Sequence, residues 1–141
     1  MDPVDELAAS LRHAIGRLVR VARRVGDDLP AAQTATLGLL SREGSLTIAD
    51  LARRRGVKHQ GQSRTVAELT GLGYVGRSPS GAAGRVSVIT LTDAGRAALQ
   101  REMDARADWL AAAIRAETTA DERALLERLT ALFERLADHG G

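Results

Sequence analysis

Apolar residues recur at three- and four-residue spacing along most of the chain and alternate in one short stretch only. The pattern predicts a mainly α protein with a small β-hairpin. Val4, Leu7, Leu11, Ala14, Ile15, Leu18, Ala22 and Val25 make one stripe on a helix over 4–25, which Gly26-Asp27-Asp28 stops. Pro30, placed where a missing N–H costs nothing, opens a helix over 31–42 with Ala35, Leu37, Leu39 and Leu40 on its expected buried side. Leu46-Thr47 reads as a short extended piece. Thr47 then caps a helix over 48–55, with Asp50 at capping-box spacing, Ile48, Leu51 and Ala52 inward and Gly56 as the stop. A further helix runs from about 58 to 71. Residues 75–79 and 85–91 read as strands around a Ser80–Gly84 tip, since Val86, Val88 and Thr90 alternate with Ser87, Ile89 and Leu91. Thr92 caps a helix over 93–116 carrying Leu99, Met103, Trp109, Leu110 and Ile114. Thr119 and Glu122 form a capping box for the last helix, 120–138, striped by Leu125, Leu126, Leu129, Leu132, Phe133 and Leu136.

The helix over 58–71 stands apart. It begins with Lys58-His59-Gln60-Gly61-Gln62-Ser63-Arg64 and only later acquires an apolar face, at Val66 and Leu69. A short helix, a break at Gly56-Val57 and a second helix have the spacing of a helix-turn-helix, and the hairpin after it is a wing. Leu51, Val57, Val66 and Leu69 are the expected contacts that lock the crossing. Donor and acceptor side chains on the first turns of a helix are what major-groove reading requires. Arg64 can fork to guanine O6 and N7 or to a phosphate; the competing reading pairs it with Glu68 four residues on. Gln60 and Gln62 suit adenine edges, or are ordinary exposed amides. Lys58 and Ser63 suit phosphates, and His59 a base, a phosphate or solvent. Arg77 and Arg85 flank the hairpin and would straddle a groove. Arg53, Arg54 and Arg55 could assist, or form a solvated run.

Charge sharpens this picture. Net charge is only +2, yet residues 42–90 hold eight Lys/Arg against three acids, while 1–41 balance and 91–141 hold seven Arg against ten acids. A basic middle implies a polyanionic partner. The 141 residues contain no cysteine, which excludes disulfides and thiolate metal sites. No apolar run approaches the length of a membrane span, and the acidic start lacks a signal-peptide layout, so cytoplasmic residence is expected. Three histidines, at 13, 59 and 139, have no metal-ligand spacing, and the carboxylates are scattered, so neither an enzyme nor a cofactor is expected.

The order of elements resembles the MarR (multiple antibiotic resistance regulator) family of winged helix-turn-helix repressors. Leu46-Thr47-Ile48-Ala49-Asp50-Leu51-Ala52 is similar to the family's LTxxELA segment. Val57, Ser63-Arg64, Leu69, Gly73 and Val75 fit its V…TR…L…G-V frame, and Val88–Gly95 its VxLTxxG segment. The likeness covers roughly residues 5–138. In the family wing, an acid orients the arginine that enters the minor groove; here Ala83 stands at the acid's place and Arg85 at the arginine's, so a less ordered wing arginine is expected. Gly61 also departs from the small polar residue common there. The resemblance implies a homodimer on double-stranded DNA at a pseudo-palindromic site. The apolar stripes of the first and last helices, too long for one another in a monomer, point the same way. Residues 1–29 and 93–141 are thus the expected dimerisation region and 30–92 the DNA-binding domain. The family also implies a small aromatic or lipophilic effector where these regions meet, with His13, Arg17 and Trp109 as available groups; Trp109 as core packing and His13 as a surface residue are the competing readings. A reading of another class stays open: a winged-helix protein-interaction module without direct DNA binding, which would want apolar anchors at the start of the fourth helix.

Overall fold

The computed structural model describes residues 1–26, 28–80 and 86–140. Its order is α1 (Pro3–Arg23), α2 (Ala31–Glu43), β1 (Leu46–Thr47), α3 (Ile48–Arg55), α4 (His59–Gly71), β2 (Val75–Ser80), β3 (Val86–Leu91), α5 (Asp93–Glu117) and α6 (Ala120–Asp138). Caps explain several of the boundaries. Thr47 and Asp50 close a capping box on α3, and Thr119 and Glu122 close one on α6. Asp2 and Asp5 close a third ahead of Pro3, which the sequence reading overlooked. Hydrogen bonding to Thr47, then to Arg53, holds the Asp50 carboxyl below its ordinary pKa.

The sheet is antiparallel in the order β1-β3-β2, with Leu46 opposite Ile89 and Val75 opposite Leu91. This register turns Val75, Ile89 and Leu91 into one core with Leu37, Leu40, Leu51, Val66, Leu69 and Leu99. Half-buried Leu29, Leu39, Leu46, Ile48 and Tyr74 pack against it. Strand and helix periodicities thus meet in a single apolar layer, and α4 is held by its Val66–Leu69 face. Two expected core positions differ. Val57 is 40% exposed, because Gly56 adopts a left-handed conformation (φ 65°) and the Val57 N–H is used to close α3 on the Ala52 carbonyl. Ala35 is exposed, and Gln33 and Thr36 take the buried side of α2 beside Leu37 and Leu40.

The two terminal helices contribute little to this core. No residue of α1 or α6 is buried; Val4, Leu7, Ile15, Leu18 and Val19 on one and Leu125, Leu126, Leu132, Phe133 and Leu136 on the other remain exposed. Leu11 of α1 and Leu129, Leu132, Phe133 and Leu136 of α6 share the wall of an apolar groove of about 360 Å³. No helix among the described residues is long and apolar enough to cross a membrane.

Candidate nucleic-acid interface

The helix-turn-helix is built locally from α3, a left-handed turn at Gly56, and α4. Lys58 is the N-cap of α4, in extended conformation and without a side-chain cap hydrogen bond. The first N–H groups of α4 are therefore not satisfied by that side chain, and its N-terminal dipole favours a negative partner. Lys58, His59, Gln60, Gly61 and Arg64 are exposed, and Ser63 is half-buried. Gln60 and Arg64, four residues apart, share one outward face. The proposed competitor for Arg64 is otherwise engaged: the Gln33 amide donates to Glu68 Oε2 at 2.8 Å. No ion pair involves Arg64 among the described residues. Arg77 is exposed on β2, opposite Ile89 in register. Arg85, with the wing tip and Ala83, lies outside the described residues.

Gln62 is a correction. Its side chain is fully buried and cannot meet an adenine edge. The Gln62 amide donates to Thr36 Oγ1 at 3.0 Å, and its carbonyl oxygen accepts from the Arg55 guanidinium. The physical reason is helical phase: residues 62, 66 and 69 fall at i, i+4 and i+7, so Gln62 shares the core face of Val66 and Leu69. The arginine run is equally committed within the protein. Arg53 pairs with Asp50 at 2.7 Å, Arg54 with Glu43, and Arg55 bonds Gln62.

Gly61 has no internal steric reason to be glycine, since an added Cβ would meet nothing within 4 Å. Gly61→Ala is expected to stabilise the fold by roughly 0.5–1 kcal/mol through helix propensity. If the α4 backbone approaches DNA closely here, the same variant should bind operator more weakly. Thermal melts and binding isotherms on one preparation check both; unchanged affinity would remove the close approach.

Sequence reasoning did not find the cleft where α1, α2, α3 and α5 converge. It encloses about 370 Å³ and is walled by Arg23, Arg42, Arg54, Arg55 and Arg106 over an apolar base that includes Leu29, Leu39, Leu99 and Met103. Glu43 and Glu102 partner Arg54 and Arg106; no carboxylate pairs with Arg23, Arg42 or Arg55 among the described residues. Residues so far apart in the chain carry no local signal of shared position. Neither His13, Arg17 nor Trp109 lines this cleft. The first two are exposed on α1, and Trp109 is half-buried on α5. No group of three or more His, Cys, Asp or Glu side chains is placed to hold a metal among the described residues.

The MarR family model matches residues 27–86, the segment from just ahead of α2 to the first residue of β3. An uncharacterised HTH-type transcriptional regulator from Mycobacterium bovis is 30% identical over 140 residues, covering 98% of this chain and 97% of the relative. The chain belongs to the MarR family. A putative transcriptional regulator from Pseudomonas aeruginosa superposes with a TM-score of 0.81 at 28% identity, covering 94% of each chain. The PcaV transcriptional regulator from Streptomyces coelicolor, crystallised with its natural ligand, superposes with a TM-score of 0.56 at 26% identity, covering 96% of this chain and 92% of that one. Like the winged-helix regulators of the MarR family, the protein is mainly helical with a small antiparallel sheet whose β2 and β3 form the wing.

Proposed function

We propose that the chain is a dimeric, sequence-specific DNA-binding transcriptional regulator, a repressor that releases a pseudo-palindromic operator when a small effector binds. The observation that carries this reading is the division of α4 into two faces. One is locked in the core through Val66 and Leu69; the other presents Gln60, Arg64 and the polar first turn to solvent with no ion pair to hold them among the described residues. The outward face offers no large apolar anchor of the kind a protein-docking surface needs. Gln60 and Arg64 read base edges, and Lys58, His59 and Ser63 meet phosphates beside the helix N-terminus. Arg77 extends the basic surface onto the wing.

Two substitutions separate these roles. Arg64→Ala should cost about 1–3 kcal/mol on operator and relax discrimination against random DNA. Lys58→Ala should weaken both about equally and reduce the salt slope by about one unit. Equal losses on both DNAs for both variants would contradict the division.

The effector is assigned to the arginine-walled cleft between the terminal-helix region and the winged lobe. The Arg23 and Arg42 guanidinium groups, paired with no carboxylate among the described residues, above leucine and methionine side chains, suit a small aromatic acid. His13 and Arg17 on α1 and Trp109 on α5, which lie outside this cleft, are the alternative effector contacts. Release is a population shift, in which the effector favours the DNA-incompetent arrangement. Benzoate, as the simplest aromatic carboxylate, should weaken operator binding in wild type and do so less in Arg42→Met. An equal effect in both proteins would move the site elsewhere.

A further inference from the structure

We propose that Arg55 is a positioning residue for the recognition helix, acting on DNA affinity through Gln62 and Thr36 and not by touching DNA. The proposal rests on the regulator reading given above. The three side chains form a directed chain across three helices. The Arg55 guanidinium, at the end of α3, donates to Gln62 Oε1 in the first turn of α4. The Gln62 amide donates to Thr36 Oγ1 at 3.0 Å, and the Thr36 hydroxyl donates to the Ala32 carbonyl at 2.8 Å within α2. Gln62 and Thr36 are both fully buried. Both polar ends of the Gln62 amide and the Thr36 hydroxyl are therefore used.

Buried chains of this kind fix geometry, because a donor or acceptor left unpaired there is costly. The apolar contacts of α4 lie later in the helix, at Val66 and Leu69, and hold its C-terminal half. At the N-terminal end, where Gln60 and Arg64 must be aimed, the one fully buried side chain is Gln62. The strut thus sets the pitch of the reading turns against α2 and α3. Arg55 forms the outer end of the strut and part of the wall of the arginine cleft. Its neighbours Arg53 and Arg54 are tied to Asp50 and Glu43, so Arg55 is the member of the run that reaches α4.

The test is a double-mutant cycle on an operator selected from a random DNA pool. Gln62→Met keeps side-chain length, Arg55→Met keeps the apolar stem and removes the guanidinium, and in Gln62→Met the Thr36 hydroxyl retains its bond to Ala32. Each single variant should lose about tenfold on operator, stay within about twofold on random DNA, and keep the wild-type salt slope. The double variant should bind no more weakly than Gln62→Met alone. Additive losses, or a salt slope reduced by about one unit in Arg55→Met, would make Arg55 a direct phosphate contact and overturn the proposal. Should Gln62→Met not fold, Arg55→Met, altered at the surface end of the chain, still decides it by the operator-to-random ratio and the salt slope. A wild-type protein that enriches no sequence would instead defeat the regulator reading, a result distinct from an additive cycle.

Discussion

Gly95→Ala is expected to destabilise the protein by about 3 kcal/mol, lowering its melting temperature by roughly 10 °C. Gly95 lies in the first turn of α5, where its N–H donates to Thr92 Oγ1 at 3.1 Å. The Thr92 hydroxyl in turn donates to the Gly73 carbonyl at 2.6 Å, and the Thr92 N–H to the Tyr74 carbonyl at 3.1 Å. These bonds press the start of α5 against the chain entering β2. A Cβ at position 95 would stand 2.0 Å from the Tyr74 carbonyl oxygen and 2.9 Å from Leu91 Cδ1. Neither neighbour can yield cheaply: the first is backbone held by Thr92, and the second belongs to a core side chain. The gain of about 1 kcal/mol that alanine brings to a helix interior does not offset an overlap of this size. Since α5 carries core Leu99 and leads into α6, the variant should also lose operator binding. A melting temperature equal to or above wild type would show that β2 and α5 are not packed this closely.

Phe133→Asp combined with Leu136→Asp should convert the protein to a well-folded monomer and weaken operator binding by roughly 10²–10⁴-fold. Phe133 is 37% exposed and Leu136 62% exposed, so removing them costs the single chain little. They belong to a continuous apolar face with Leu132 and Leu129 along the groove shared with Leu11. Apolar surface of this extent on two long helices is characteristic of an interaction face. In the dimer proposed above, a twofold mate covers this face, which makes the contact self-complementary and presents two copies of α4 to DNA. Once one half-site is bound, the second α4 meets its half-site at high effective concentration, and that advantage vanishes in a monomer. Sedimentation analysis alongside operator titration tests both parts. A double variant that still sediments as a dimer, or a monomer with wild-type operator affinity, would contradict the account.

Local physics was legible in the sequence; side-chain destinations set by distant residues were less so. The capping pairs Thr47 with Asp50 and Thr119 with Glu122 start α3 and α6 where their spacing predicts, because a cap acts over three residues. Gly95 was visible as part of the VxLTxxG segment, though its reason, the Tyr74 carbonyl, is a contact across 21 positions. Gln62 shows where reading by residue type goes astray. A polar amide in a polar stretch looked like a groove contact, yet its phase with Val66 and Leu69 already placed it on the buried face. Gln33 and Thr36 on α2 follow the same rule. The arginine cleft joins Arg23, Arg42, Arg55 and Arg106, and no periodicity within one helix reports that convergence.

The central claim is that the outward face of α4, presented twice, reads DNA sequence. Selection of bound fragments from a random DNA pool, with affinities for the enriched sequence measured across salt, tests it most directly. The account predicts a pseudo-palindrome whose half-sites lie about 10 base pairs apart, with affinity falling linearly in logarithmic salt. An unenriched pool, or binding indifferent to salt, would contradict it.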